Sequence, residues 1–207
     1  MDGIKISYHG HACFSLEAEG YRVVIDPYKD GMVDGLPELK LTANAVYGSH
    51  GHADHNWFDA VSIVASDRPA PYTMRALETP HDDQGGKLRG MNTVRIFDFD
   101  GTRVAHLGDL GDFPEEKVLS ELKGVDCLMI PVGGYYTIDP AMAKKIANAV
   151  APRVCVPMHY RTDTAGLGVL AHLSDFTGQY SKVHECDNSF LLTADMEEQI
   201  IAVNYKP

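Results

Sequence analysis

The chain has 207 residues, of which 44% are hydrophobic and 23% charged, and its formal net charge at pH 7 is −11. This apolar fraction can fill a core and argues against disorder, and the length predicts one domain over residues 1–207. The acidic charge disfavours a nucleic-acid partner, which needs a basic face, although bound divalent cations would still allow an anionic small-molecule substrate.

The sequence disfavours both a signal peptide and a membrane partner. The N-terminus reads MDGIKISYHG, without a basic start followed by an apolar run, and no stretch approaches about 18 consecutive apolar residues. Four cysteines form no CxxC pair and lie mostly in apolar, strand-like runs, which favours buried thiols over disulfides. They are Cys13, Cys127, Cys155 and Cys186. We therefore expect a cytoplasmic protein.

Strands dominate the first half of the chain. Residues 4–28 predict two strand-like runs joined in a hairpin at AEG. Residues 43–49 predict a short strand, and residues 55–66 predict a short helix followed by a strand. Residues 69–92 are rich in breakers and polar side chains, so they predict mainly loop. Residues 93–109 predict a second hairpin, which turns at an Asp-Gly pair.

Strands and helices alternate in the second half. In chain order the predicted elements are a helix at 114–122, a buried strand at 125–134, a helix at 139–150, a buried strand at 153–160, a short helix within 165–178 and strand again within 189–205. The helix at 139–150 has Asp139 as its N-cap and Pro140 at its first position. Hairpins followed by alternating strands and helices predict sheets covered by helices, which is a mixed α/β layered fold.

The stretch YGSHGHADHN, residues 47–56, contains His50, His52, Asp54 and His55. On a helix, His50 and His52 would point about 200° apart, whereas on an extended segment they project to the same side. The glycines of this stretch allow a tight bend, so Asp54 and His55 can serve a second ion. Imidazole and carboxylate suit zinc, manganese or iron rather than calcium. The alternative is a histidine-rich surface loop. The pattern HxHxDH directly after a strand favours a metal site over that alternative.

Three further residues are candidate ligands. His81 lies in a predicted loop, Asp109 follows a strand between two glycines, and His159 ends a buried strand. Each has a plain structural alternative, since Asp109 can be a turn residue and His159 a buried, hydrogen-bonded histidine. Together with the histidine-rich stretch they make seven candidates, which divide naturally between two ions that share a carboxylate.

This pattern resembles the metallo-β-lactamase superfamily over nearly the whole chain. YHGHACFSLEAEGYRVVIDP and PVGGYYTID also look like the branch that includes the L-ascorbate-6-phosphate lactonase-like metal-dependent hydrolases. The resemblance implies a four-layer αββα sandwich with the metals at one edge of the two sheets. It further implies one ion on His50, His52 and His81, a second on Asp54, His55 and His159, and a bridging Asp109.

The chemistry implied is metal-dependent hydrolysis of a small molecule. A hydroxide between two divalent ions, zinc first with manganese or iron as alternatives, would attack an ester, lactone or phosphodiester, because a metal can lower the pKa of bound water from about 15.7 to about 7. Asp54 and Asp109 are therefore also candidate catalytic residues. The sequence has no Gly-x-Ser-x-Gly elbow and no phosphate-binding glycine-rich loop, which argues against serine hydrolases and P-loop enzymes.

Four further residues lie near the motifs, and the roles of three of them are open. His106 precedes Asp109 by three positions, so strand alternation points the two to opposite faces and His106 is left out. In this branch the early Gly-His pair tends to lie near the metals, so His11 is either a hydrogen-bond donor beside them or structural. Asp26 either orients a ligand histidine or ends a strand in a turn. Arg161 either meets an anionic substrate or is solvated.

Two other functions remain open. Some relatives carry a di-iron redox site, but they usually have a flavin domain for which this chain has no room. A non-catalytic metal-binding protein on the same scaffold would normally have lost ligands, and all seven candidates are present. RNA processing is disfavoured by the acidic charge, and a homo-oligomer stays open.

Overall fold

The computed structural model describes residues 3–205. In chain order the strands are β1 (Ile4–Tyr8), β2 (Phe14–Ala18), β3 (Tyr21–Ile25), β4 (Leu41–Ala43), β5 (Ala45–Tyr47), β6 (Val61–Ile63), β7 (Thr73–Pro80), β8 (Met91–Phe99), β9 (Thr102–His106), β10 (Cys127–Pro131), β11 (Val154–Met158), β12 (Val183–Asp187), β13 (Ser189–Leu192) and β14 (Gln199–Asn204). The helices are α1 (Glu116–Leu122), α2 (Pro140–Val150) and α3 (Leu173–Thr177), with a 3₁₀ turn at Phe58–Ala60.

Two large sheets share one apolar core. The five-stranded sheet has the order β13-β1-β2-β3-β5, antiparallel except where β5 joins β3. The seven-stranded sheet has the order β12-β14-β11-β10-β9-β8-β7, parallel from β12 to β9 and antiparallel beyond. Apolar faces of α1 and α2 join the same core. The predicted mixed α/β layered class is therefore confirmed.

Strand β3 shows how alternation builds these layers. Val23 and Ile25 face the core between the sheets, and Val24 points the other way into a smaller apolar cluster. That cluster also contains Tyr28 and Val61, and the short paired strands β4 and β6 contribute to it. The outer face of the five-stranded sheet is thus covered by β4, β6 and the loop that contains Tyr28.

The prediction of two strand runs in residues 4–28 was wrong in one respect. The first run is divided into β1 and β2, which pair antiparallel around a turn at residues 9–13. Gly10 and His11 have φ angles of +98° and +55° in this turn. Alternation cannot reveal such a break, because the residues on both sides have the same strand-like pattern. The break matters because it brings His11 to the end of the sheet.

The prediction of mainly loop for residues 69–92 was also wrong. Thr73–Pro80 forms β7, which pairs with β8 along its whole length up to Pro80 opposite Met91. Its residues are mostly exposed or half-buried, and it contains Ala, Glu and Pro, which are depleted in strands, so tertiary pairing overrides the local preference. Because β7 ends at Pro80, His81 emerges directly from the strand end.

Two predictions about the environment of the chain can be compared with the structure. All four cysteines are free, and three of them are buried while Cys186 is partly so. Across residues 3–205, no helix combines the length and apolar character needed to cross a membrane.

Candidate metal centre

The predicted ligands all lie beyond the C-terminal ends of strands. The segment 50–55 follows β5, His81 follows β7, Asp109 lies shortly beyond β9, and His159 directly follows β11. Strand β5 belongs to the five-stranded sheet and the other three to the seven-stranded sheet. The site therefore lies beyond the C-terminal ends of strands from both sheets, and both sheets contribute residues to it.

Asp109 lies at the centre of the cluster. Its Oδ2 atom is 3.2 Å from Nε2 of His55, 3.4 Å from Nε2 of His81, 3.4 Å from Nε2 of His159 and 3.8 Å from Nε2 of His50. Charge-assisted N–H···O bonds are shorter, at about 2.7–2.9 Å. Ligand atoms about 2.0–2.1 Å from a tetrahedral zinc ion lie about 3.4 Å from one another. The observed spacing is therefore typical of ligands arranged around ions.

The ligand atoms fall into three overlapping groups in which all members lie within 4.8 Å of one another. These groups are His50, His52 and His81; His50, His55 and Asp109; and His11, Asp54, His55 and His159. The structure thus brings all seven predicted residues together in the predicted partition. Their role as ligands stays a prediction. His11 joins the second group, where the sequence had left its role open.

Several buried polar atoms of the cluster have no hydrogen-bond partner within the described part of the chain. They are Nδ1 of His11, Nε2 of His55, Nδ1 of His81, Oδ1 of Asp109, and both ring nitrogens of His159. Buried polar atoms are rarely left unpartnered, because each would lose its interactions with water. Imidazole and carboxylate are suitable ligands for zinc and similar divalent ions, so the residues present fit a dinuclear centre.

The protonation states of His50, His11 and Asp109 also suit metal binding. Burial lowers the pKa of His50 to about 3 and that of His11 to about 4, so both rings are neutral at pH 7 with a lone pair available. Burial alone would raise the pKa of Asp109, but His159 and His55 beside it hold that pKa well below its ordinary value. Asp109 is therefore ionised, as a ligand carboxylate must be.

Asp26 supports two of the candidate ligands. It lies at the end of β3 with a φ angle of +51° and is fully buried. Its Oδ2 atom is 2.8 Å from Nδ1 of His55 and accepts a 2.6 Å bond from the Ser49 hydroxyl, whose oxygen is 2.9 Å from Nδ1 of His50. Of the two roles open for Asp26, the structure therefore favours orienting ligand histidines, directly and through Ser49.

Sequence reasoning missed Asn92, a fully buried residue of β8. Its side-chain oxygen accepts the backbone N–H of Asp109 at 2.9 Å, and its amide donates to the Leu107 carbonyl at 2.8 Å. A Cβ atom on Gly108 would lie 2.2 Å from that same oxygen. Asn92 therefore fixes the backbone that carries Asp109. The available signal was its position, one residue before the predicted strand and in the alternation that Val94 and Ile96 continue.

Two residues considered from the sequence lie outside the cluster. His106 accepts the backbone N–H of Gly108 at Nδ1 and contacts the Ala12 carbonyl through Nε2 at 2.9 Å, so it is structural, in line with its exclusion. Arg161 donates to the Leu170 carbonyl at 2.6 Å and contacts His172. It is neither freely solvated nor directed at the metal cluster.

A histidine and aspartate cluster where two sheets meet, with α1 and α2 packed against the core that the sheets share, defines a mixed α/β metal-binding fold. The profile of the β-lactamase superfamily domain matches residues 5–159. The chain belongs to the metallo-β-lactamase superfamily.

Two sequence relatives and one crystal structure agree with this assignment. A UPF0173 metal-dependent hydrolase of Archaeoglobus fulgidus is 30% identical over 197 residues, which cover 77% of this chain and 84% of the relative. One from Thermoplasma acidophilum is 27% identical over 195 residues, covering 78% and 85%. A crystal structure from Thermotoga maritima, of a candidate zinc-dependent hydrolase of this superfamily, is 31% identical with a TM-score of 0.76, and the match covers 98% of this chain and 100% of that one. The predicted fold and the predicted enzyme class, a hydrolase, are thus confirmed.

The predicted branch is a separate matter. The matching profile is described only as a β-lactamase superfamily domain, and the relatives above are named only as metal-dependent hydrolases. The likeness to the L-ascorbate-6-phosphate lactonase branch therefore stays a prediction.

Proposed function

We propose that this metal-dependent hydrolase holds two divalent ions and hydrolyses an ester, lactone or phosphodiester of a small molecule. The observation that carries the proposal is the position of Asp109, whose Oδ2 atom lies within 3.8 Å of four imidazole nitrogens. When bound, two divalent ions supply a hydroxide nucleophile at neutral pH and polarise the oxygen of the bond to be cleaved.

The residues divide into two sets around Asp109. The first set is His50, His52 and His81, and the second is Asp54, His55 and His159. The carboxylate of Asp109 faces both sets, so it would neutralise charge between them and hold them at a fixed separation. Asp26 and Ser49 keep the rings of His55 and His50 in the orientation that directs Nε2 inward. Zinc suits this mixture of imidazole and carboxylate best, with manganese or iron as alternatives.

Substrate would approach from the side of His52 and Asp54. His52 is exposed and the Asp54 side chain retains 18% exposure, whereas those of His50, His55, His81, Asp109 and His159 are at most 3% exposed. The carboxylate of Asp54 therefore borders both the buried cluster and solvent. This position suits a group that binds an ion and also meets the reacting bond, which is the role we give it beside Asp109.

The partner class follows from the charge of the chain. A net charge of −11 supports a small-molecule substrate and argues against nucleic acid. The free, mostly buried thiols support a reducing compartment such as the cytoplasm.

The test is reconstitution followed by a substrate panel. Chelator-treated protein is loaded separately with zinc, manganese or iron, the bound ions are counted by elemental analysis, and hydrolysis of lactones, thioesters, β-lactams and phosphodiesters is measured. We expect two ions per chain and metal-dependent turnover of a lactone, ester or phosphodiester. One ion or fewer after reconstitution would refute the dinuclear site, and oxygen consumption by the iron form without hydrolysis would favour the redox alternative.

A further inference from the structure

His11 lies against the second set of candidate ligands. Its Nε2 atom is 3.3 Å from Oδ2 of Asp54, and its ring centroid is 4.1 Å from that of His159 and 5.1 Å from that of His55. The side chain is fully buried, and its Nδ1 atom has no hydrogen-bond partner among the described residues. An imidazole in this position requires an explanation, because the second set already has two histidines and a carboxylate.

Most distances in the cluster fall into two classes. Contacts that support a ligand from behind are short: 2.8 Å from Asp26 to His55, and 2.9 Å from Ser49 to His50. Most contacts between candidate ligand atoms are longer, such as 3.2 Å from His55 to Asp109 and 3.6 Å from His55 to Asp54, although Nε2 of His50 and Nδ1 of His52 are 2.9 Å apart. The 3.3 Å separation of His11 and Asp54 belongs to the second class. It matches the edge of about 3.4 Å between ligands of a tetrahedral zinc ion.

The backbone ties His11 to a candidate ligand of the second ion. The His11 carbonyl accepts the backbone N–H of His159 at 2.8 Å and the Tyr8 hydroxyl at 3.0 Å. His11 and His159 both have left-handed φ angles, of +55° and +52°, which non-glycine residues adopt infrequently. Two unusual backbone conformations joined by a hydrogen bond therefore bring two imidazoles to the same place. Such outliers are common where function requires a specific geometry.

We propose that His11 is a further ligand of the second ion, beside Asp54, His55 and His159. This inference rests on the proposed dinuclear site. With His11 included, each ion would have three histidine ligands, and both ions would share Asp109. Asp54 would be an additional ligand of the second ion. The first ion then has fewer protein ligands, so an open position for substrate falls on the side of exposed His52 rather than on the side of buried His11.

The test compares two glutamine variants. In His11→Gln the amide nitrogen can still donate to Asp54 from near the position of Nε2, but it does not bind metal. His9→Gln is the matched control, because His9 lies in the same turn and contacts Ser15 at 3.0 Å, outside all the ligand groups. Each protein is loaded with cobalt(II), whose visible spectrum reports the ligands, and with zinc in competition with a chelator.

We expect His11→Gln to lose affinity for one of its two ions by at least about 10-fold and to show an altered cobalt spectrum for that site. His9→Gln should match the wild type in both. If His11→Gln binds both ions with wild-type affinity and spectrum, then His11 is only a hydrogen-bond donor to Asp54 and the inference is wrong.

A zinc-loaded crystal structure of the wild type decides the matter even if His11→Gln does not fold. We expect an Nε2-to-zinc distance for His11 of about 2.0–2.1 Å, and a distance above about 3 Å would overturn the inference. Different results would refute the two proposals. Wild-type protein that never binds a second ion contradicts the dinuclear site itself, whereas two bound ions with His11 uncoordinated contradict only the role of His11.

Discussion

Asp26 Oδ2 lies 2.8 Å from Nδ1 of His55, and both side chains are completely buried. The contact fixes which ring nitrogen of His55 carries the proton, because an ionised carboxylate can only accept. When His55 is neutral, as a metal ligand must be, the other nitrogen, Nε2, presents its lone pair to the cluster, 3.2 Å from Asp109. Asp26, which lies outside the candidate metal centre, therefore orients the ring of His55 within it.

Replacement of Asp26 by Asn tests this support. Asn tolerates the φ angle of +51°, but its amide N–H₂ group would face donors that now meet a carboxylate. We expect metal affinity to fall about 10–100-fold, as found when such supporting partners are removed. Chelator competition measures this. Asp98→Asn is the control and should leave the affinity unchanged, since within residues 3–205 the Asp98 side chain accepts only a turn N–H, from Gly101. Equal affinities in both variants would exclude the supporting role.

Replacement of Asp109 by Asn tests the bridging carboxylate. Asn is similar in size but neutral, so it should weaken the binding of both ions and lower hydrolysis by orders of magnitude. The fold should persist, because the backbone N–H of residue 109 still donates to Asn92. If Asp109 were only a turn residue between glycines, Asn would serve equally well. A folded variant, checked by circular dichroism, with two ions and an unchanged rate would contradict bridging.

The two sets of ligands should be separable. His81→Ala should release the first ion and leave Asp54, His55 and His159 able to hold the other, whereas His159→Ala should do the reverse. Elemental analysis after dialysis should find about one ion per chain in each variant, and activity should fall in both. Full metal content and full activity in both variants would show that these residues are not ligands.

The part of the site that is local in sequence could be predicted from it. His50 and His52 lie two apart on an extended segment, so their convergence follows from strand geometry alone. Asp109 and His159 could be placed because each follows a buried strand, and parallel strands end at the same edge of a sheet. The predicted fold class rests on the same alternation of strands and helices.

The supporting residues could not be predicted in this way. His11 meets Asp54 across 43 positions, and Asn92 meets Asp109 across 17, so both depend on how distant turns pack. The left-handed backbone of His11 interrupts two runs that look like one strand. Strand β7 was missed for a related reason, since only its pairing with β8 makes a strand of residues with weak local preference.

The stability of the metal-free protein should fall between pH 7 and pH 5. Burial lowers the pKa of His9 and His11 to about 4 and that of His50 to about 3, against about 6.5 for histidine in an unfolded chain. Below about pH 6.5 the unfolded chain therefore binds protons that the folded chain does not, and stability is lost as the pH falls. His55 acts in the opposite direction: burial lowers its pKa, but Asp109 and Asp26 outweigh this and raise it well above the ordinary value.

Five histidines have lowered pKa values, since burial also lowers the pKa of His81 and His106, and only His55 has a raised pKa, so the balance is a net loss of stability toward low pH. The measurement is the Tm of chelator-treated protein at several pH values, beside zinc-loaded protein. Zinc should raise the Tm at pH 7.5, and the difference should shrink toward pH 5 because protons compete with the ions for imidazole. A metal-free Tm that is flat or rises toward pH 5 would contradict the prediction.

Gly111 packs against the segment that carries His81, a candidate ligand of the proposed first ion. A Cβ atom here would lie 2.1 Å from the backbone nitrogen of Asp82 and 2.3 Å from the carbonyl carbon of His81. Both are backbone atoms, so they cannot move aside as a flexible side chain would. The Gly111 N–H also donates to the Pro80 carbonyl at 3.0 Å, which holds the two segments together.

Gly111→Ala should therefore displace the segment that carries His81. We expect a loss of about 1–3 kcal/mol in the free energy of unfolding, which is typical of overpacking. We also expect weaker binding of the first ion and unchanged binding of the second. Urea unfolding of metal-free protein and the ion count after a chelator challenge measure the two effects. Gly51→Ala is the matched control, because it adds a methyl group between two candidate ligand histidines but into open space, with no atom of the described non-neighbouring residues within 4 Å. It should keep wild-type stability and both ions. Wild-type stability and first-ion affinity in Gly111→Ala would show that the approach of these two loops does not position His81.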